Sequence, residues 1–379
     1  MIMKASVVFV LFTAVLAAGV APRAQAATAS VTPAAISNQF SGTLSLQLGG
    51  VGTGAEVRVQ IFRDFDGNGA VDAGDVLVKQ FSITDGVIPT IGGRTNSNVP
   101  GDLDGAANGA IAATLDYRNL TGLDHVAGKY VFQISSPTAA FAPVLTPFTI
   151  TPTAFPQSVA GTVTGASNCV VVLINAAVDS NTALEVMAGT VVNTDGSYSI
   201  RCPVGQFKAL AVQAGSVTDL GNAPTVSIGA GQVVMQDLSF LNPDRVITGT
   251  LLDGPAGAPL PGVQVIARSG TGMIVAGTTD ALGIYSLAVD SGVWNLDFSG
   301  PDLAKAGCLA FLNDPSVDAT GGSTNVTVNT VRATGLIQGR VVDETNQPVV
   351  GAYVGGWTTR PTSTSATGRR MKTEITRSA

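Results

Sequence analysis

Charge is scarce in this chain. Asp, Glu, Lys and Arg make up 12% of its 379 residues, roughly half the usual share of about 25%, so Thr, Ser, Asn and Gln must cover much of the surface. The formal net charge is −6, and no basic patch offers a footprint for nucleic acid. Histidine is limited to His125, so no pair of imidazole ligands for a catalytic zinc can be assembled. A Ser-His-Asp triad would have to rest on that one residue, and no G-x-S-x-G motif occurs. His125 therefore reads as a surface-loop residue ahead of the strand KYVFQI, and the chain reads as a non-enzyme with no catalytic residues.

The three cysteines are too few for a disulfide framework. Cys169 and Cys202 fall close enough in sequence to close a loop of about 33 residues, a bridge that would stabilise by about 3 kcal/mol. The sequence leaves open whether they pair; Cys308 reads as a small buried hydrophobe. Long apolar runs are also missing, except at the start. There Lys4, the run Ala5 to Val20 and the small-residue signature Ala24-Gln25-Ala26 have the three parts of a secretory signal over residues 1–26. No later stretch approaches the ~18 apolar residues of a membrane span. The expected mature chain is extracytoplasmic, secreted or cell-surface, without a span.

What the chain does have is a repeat. ITGTLLD at Ile247 to Asp253 is echoed by VAGTVTG around Gly161 and by IQGRVVD around Gly339. Between the first two copies Gly196, Tyr198 and Gly205 recur 87 positions on, as Gly283, Tyr285 and Gly292. A period of that length is one small domain, and an array of such domains reads as a scaffold. The expected units are 156–245, 246–335 and an incomplete third at 336–379, stacked as a stalk. Residues 27–155 lack the signature and form a separate unit, joined through the proline-bearing TPFTITPTAFPQ.

Short alternating segments with Gly and Pro turns predict an all-β chain of tandem antiparallel β-sandwiches. In AEVRVQIF, Val57, Val59 and Ile61 face one way; in KYVFQI, Tyr130, Phe132 and Ile134 do. In the second repeat, Val263, Val265 and Ala267, then Tyr285, Leu287 and Val289, then Trp294, Leu296 and Phe298 are predicted to face inward.

The order GTLLD, PLPGVQV, TDALGIYSL and SGVWNL resembles the carboxypeptidase regulatory-like (transthyretin-like, prealbumin-like) β-sandwich family. The match covers nearly the whole second repeat. The first repeat keeps TDGSYSI and VGQFKAL but has Asn168-Cys169 in place of Pro-Gly, and the third keeps only IQGRVVDETNQPVVGAYV. With a single histidine, the resemblance implies the accessory sandwich without the peptidase. After Thr367 the chain reads GRRMKTEITRSA, basic and without strand pattern. Read one nucleotide back, codons for Met371 to Ser378 can spell Glu-Asp-Gly-Asn-Tyr-Thr-Leu, the turn and strand that the third repeat lacks. The expectation is a frameshift or truncation after Thr367.

The sharpest local signal is RDFDGNGAVDAGD. Counted from Asp64, oxygen donors fall at positions 1, 3, 5, 9 and 12 as Asp64, Asp66, Asn68, Asp72 and Asp75. Gly69 takes the tight turn at position 6, and Ala70 offers its main-chain carbonyl at position 7. The loop resembles an EF-hand or dockerin-type Ca²⁺ loop, but strands flank it where helices would be expected. That arrangement resembles the strand-loop-strand calcium sites of bacterial Ig-like surface modules. Asp75 in place of a longer Glu predicts modest affinity and a structural role. A second acidic stretch, GDLDGAANGAI with Asp102, Asp104 and Asn108, could complete the first site or make another, but its spacing fits no full loop and it reads rather as a polar turn. GGVGTGAEV leads into a strand and cannot serve as a phosphate loop.

The expected function is a calcium-stabilised structural or adhesive scaffold with an unidentified surface partner. A carbohydrate-binding module, with a glycan as partner, is the alternative; Trp357 is its one candidate platform.

Overall fold

The structure is a computed structural model that describes residues 26–379 apart from 118–122, 124–125, 167, 177–185, 214–215, 242, 255–256, 312, 350–354, 358–371 and 375–379. The expectations for His125, for residues 1–25 and for most of the basic tail lie outside the described residues. No described helix is long and apolar enough to cross a membrane.

Alternation gives each strand one face to bury. In Glu56–Asp64, Val57, Val59 and Ile61 are buried while Glu56 is exposed. The first sandwich sets one antiparallel sheet, Thr28–Thr32, Thr43–Gly49 and Ala110–Asp116, against a second. That second sheet runs Ala35–Ser37, Val144–Thr151, Val126–Ser135, Glu56–Asp64, Val76–Thr84. Leu44, Leu46, Ile83, Ile111 and Phe132 fill the space between, with Phe148 edge-on to Phe132 at 5.6 Å.

The two repeats share one topology. In the first, Thr225–Ile228, Gly205–Val212, Val170–Asn175 and Val186–Val191 make one sheet; Ser197–Arg201, Ser158–Thr164 and Val233–Met235 make the other. In the second, Ser316–Asp318, Val293–Phe298, Gln264–Ser269 and Met273–Thr278 take the same order, as do Ile284–Val289, Arg245–Leu252 and Thr324–Asn325. The residues predicted inward in the second repeat are buried, Trp294 among them.

The repeated Gly and Tyr have one physical cause. At Gly249 the chain passes so close to the Val326 carbonyl and the Tyr285 ring that a Cβ would collide with both. Tyr285 donates its hydroxyl proton to that same carbonyl at 2.6 Å, and Val326 N–H donates to Thr248 at 2.8 Å. Gly161, Tyr198 and Gln236 repeat the arrangement in the first repeat. Tyr285→Phe would strand a half-buried carbonyl, so chemical denaturation should show a loss of about 1 kcal/mol. At Gly339 a Cβ would meet nothing within 4 Å, and Ile337 is 71% exposed. The third copy's first segment is thus not packed like its predecessors.

The sandwiches do not string out as a stalk: each touches the other two. Val186–Val191 adds in parallel to the start of Val126–Ser135, through Gly189 opposite Val126 and Thr190 opposite Ala127. One nine-stranded sheet therefore runs through the first two sandwiches. Thr218–Asp219, from the first repeat, pairs with Met273–Thr278 of the second. Val126, Val170, Val172, Ile174, Leu210 and Ile274 form a core shared by all three. This explains the unbroken run VVVLI: Val171 and Leu173 face their own sandwich while Val170, Val172 and Ile174 face the neighbours, and a strand buried on both faces loses its alternation. The third junction is polar. Helix Gly300–Lys305, capped by Ser299, places Asp302 3.1 Å from Lys79 of the first sandwich, with both side chains buried.

Candidate metal centre

The strand Glu56–Asp64 delivers Asp64 to the mouth of the acidic loop, and Val76–Thr84 leaves it. The loop closes on its own side chains. Asp64 accepts from the N–H groups of Gly67 (2.6 Å) and Gly69 (2.9 Å). Asp66 accepts from Asn68 N–H at 3.0 Å, Asn68 Oδ1 from Ala70 N–H at 2.6 Å and Asp72 from Gly74 N–H at 2.9 Å. Asp75 ties the ends together, accepting from Phe65 N–H at 3.2 Å and Asp72 N–H at 3.1 Å. Gly67 and Gly69 hold φ of 72° and 75°, the left-handed turn that glycine adopts without a Cβ penalty.

The donors suit a hard cation: carboxylates, one amide and a main-chain carbonyl, all oxygen. Among the described residues no three His, Cys, Asp or Glu side chains are gathered to hold a metal ion. The Asn68 Nδ2 instead bridges Asp66 (2.8 Å) and Asp72 (3.0 Å), standing as a partial positive charge between the two carboxylates. Turning that amide over would present its oxygen in the same place, at the cost of the bond that Oδ1 accepts from Ala70 N–H. Burial pushes the Asp75 carboxyl above its ordinary value; hydrogen bonds from Asp72 and Phe65 N–H oppose this, and repulsion from Asp72 and Asp64 adds to it.

The loop is wedged into the junction. Phe65 packs against the shared core, and the Arg63 guanidinium lies 6.0 Å from its ring centre and 5.6 Å from that of Tyr130. Asn168 of the first repeat, at φ 50°, donates its Nδ2 proton to the Gly74 carbonyl at 2.8 Å. Asn168 thus serves docking at the place where the second repeat has Pro261-Gly262. Asp75 opens onto a cleft of about 390 Å³ between the sandwiches, lined also by Arg63, Leu123, Asn168 and Asp280. No sequence signal marked Asn168 as a loop partner, since 94 residues separate it from Gly74.

Of the second acidic stretch, Asp102 is fully buried whereas Asp104 and Asn108 are exposed. The glycine-rich segment leads into the strand Glu56–Asp64 as expected, and its Gly54 N–H donates to Asp85 at 2.7 Å. Cys169 and Cys202 share one core as free thiols, pushed up by burial to about 12 and about 11. Cys308 is buried and free. The side chain of Trp357 lies outside the described residues.

No protein-family model matches the chain, and no curated protein matches it. Among solved structures it is similar to the TIE protein of Bacillus anthracis, at 12% identity and a TM-score of 0.22 over 86% of this chain and 65% of that one. It is also similar to the pilus 2b backbone protein of group B streptococcus, at 12% identity and a TM-score of 0.22 over 81% of this chain and 98% of that one. A minor pilin of Streptococcus agalactiae aligns at 13% identity and a TM-score of 0.22, over 48% of this chain and all of that one.

Proposed function

We propose that the chain is a structural or adhesive scaffold working outside the cytoplasm, stiffened by Ca²⁺ in the Asp64 to Asp75 loop. The observation that carries this reading is the sheet continued from one sandwich into the next by the pairing of Val186–Val191 with Val126–Ser135. Strand addition and the shared core turn separate modules into one body, a property of use to a load-bearing or spacing element. The regulatory-like resemblance of the repeats, an accessory sandwich, agrees with a non-enzymatic role, and the signal-like residues 1–26 agree with export.

Calcium would be held by Asp64, Asp66, Asn68, the Ala70 carbonyl, Asp72 and Asp75. It would supply the positive charge that these acids lack, and the loop N–H groups hold each carboxylate in its orientation. Thermal unfolding of the full chain in EDTA and then in millimolar CaCl₂ tests the metal. At 100 times Kd, binding to the folded state stabilises by about 2.7 kcal/mol. The midpoint should rise with calcium by more in the parent than in Asp64→Ala/Asp66→Ala; equal rises in the two would reject the loop as a metal site. Protease treatment of intact cells should remove the chain, and its full protection would reject the extracytoplasmic placement.

A further inference from the structure

One arginine is buried without a carboxylate. Arg63, near the end of the strand Glu56–Asp64, is 4% exposed and takes part in no ion pair among the described residues. Its hydrogen bonds are few and long: Nε donates to the Tyr130 hydroxyl at 3.4 Å and Nη2 to the Leu123 carbonyl at 3.3 Å. The ring centres of Tyr130 and Phe65 lie 5.6 Å and 6.0 Å from the guanidinium. Most of its N–H donors thus remain unused, and a buried charge left unpaired is costly.

The charge stands in the wall of a cleft. Arg63, Phe65 and Leu123 line one side of the space of about 390 Å³ where the three sandwiches meet; Val170 and Val212 of the first repeat and Thr278 of the second line the others. That volume suits a small organic ligand, and such sites favour junctions between domains. The acids on the same cleft are committed elsewhere. Asp75 gives its two oxygens to the N–H groups of Phe65 and Asp72. Asp302 gives its own to Lys79 and to Gln264 N–H. Asp280 is exposed, and its Oδ1 holds the N–H groups of Leu282 and Ile284. Among the charged groups of the cleft, Arg63 is therefore the one with donors to spare.

We propose that this cleft binds a small organic acid, its carboxylate against Arg63 and its apolar body over Val170, Val212 and the Phe65 ring. The planar guanidinium presents paired N–H groups that match the two oxygens of a carboxylate. The ligand supplies the negative charge that the fold withholds from Arg63, and the apolar walls exclude water from the pair.

Calorimetric titration of the full chain with sodium phenylacetate tests this, with phenylacetamide as the uncharged counterpart. One saturable equivalent of phenylacetate is expected in the parent. The amide should bind about tenfold or more weakly, and Arg63→Met should weaken phenylacetate by as much, the range for losing a hydrogen bond to a charged group. Thr278→Phe works from the opposite wall. Thr278 shares by alternation the strand face of Ile274, which packs in the common core, so the larger ring should fill the cleft and abolish binding with the circular dichroism spectrum unchanged. Should Arg63→Met fail to fold, Thr278→Phe and the amide decide. The absence of saturable phenylacetate binding in the parent would overturn the proposal, as would equal affinity for the amide. A folded Arg63→Met or Thr278→Phe with the parent's affinity would overturn it too.

Discussion

Gly249→Ala is expected to destabilise the second repeat by about 3 kcal/mol, the upper range for overpacking a well-packed site. The added methyl has nowhere to go: the Val326 carbonyl and the Tyr285 ring both lie inside its radius. Relief requires moving the crossing strand, which breaks the bond from Tyr285 to Val326 and that from Val326 to Thr248. Gly161→Ala meets the Gln236 carbonyl in the same way and should cost a similar amount. Gly339→Ala is the control, because its Cβ meets nothing within 4 Å; its effect should stay within about 0.5 kcal/mol. Urea denaturation of the three variants checks the set. Equal midpoints would show that the repeated glycine serves something other than the close crossing.

Asp302→Ala should cost about 3–5 kcal/mol, the penalty for leaving one member of a buried ion pair alone. The residue joins the second repeat to the first sandwich: Lys79 approaches at 3.1 Å, Lys305 at 3.7 Å, and Gln264 N–H donates to it at 3.3 Å. Lys79→Met should also be damaging, though less so, because the buried carboxylate then keeps only Lys305 at 3.7 Å and the Gln264 N–H. The double variant Lys79→Met/Asp302→Leu should recover most of the loss, since an apolar pair of similar volume carries no desolvation penalty. Burial pushes the Asp302 carboxyl up, but attraction to Lys79 and then Lys305 overrides it, so the group titrates below its ordinary 3.8. A carboxylate depressed on folding contributes stability that is present above the unfolded value and lost as pH falls through the folded one. The difference in denaturation midpoint between parent and Asp302→Ala should therefore be full at neutral pH and shrink below about pH 4. A difference independent of pH would assign the loss to packing alone.

Residues whose role is local could be read from the chain. The inward faces of Val57, Val59 and Ile61, and of Tyr285, Leu287 and Val289, followed from alternation, and the structure buries all six. Gly249 and Tyr285 announced themselves by recurrence, although the reason, one carbonyl touching both, needed the fold. The acidic loop was legible because its donors are spaced within one turn of chain; its wedging into the junction through Phe65 and Gly74 was not. Periodicity says which face is covered and stays silent on what covers it. Lys79 and Asp302 lie 223 residues apart, and nothing local in either marks a partner. The run VVVLI did carry a hint, since a strand without a polar face has two neighbours. Asp102 read as an ordinary turn acid, because burial of a turn is decided by the segments folded over it.

Differential scanning calorimetry of the full chain tests the central claim, that strand addition, shared core and buried ion pair make one body of three sandwiches. The account predicts a single transition whose calorimetric and van't Hoff enthalpies agree. Three resolved transitions, one for each sandwich and each unmoved by Asp302→Ala, would contradict it and return the molecule to a string of independent modules.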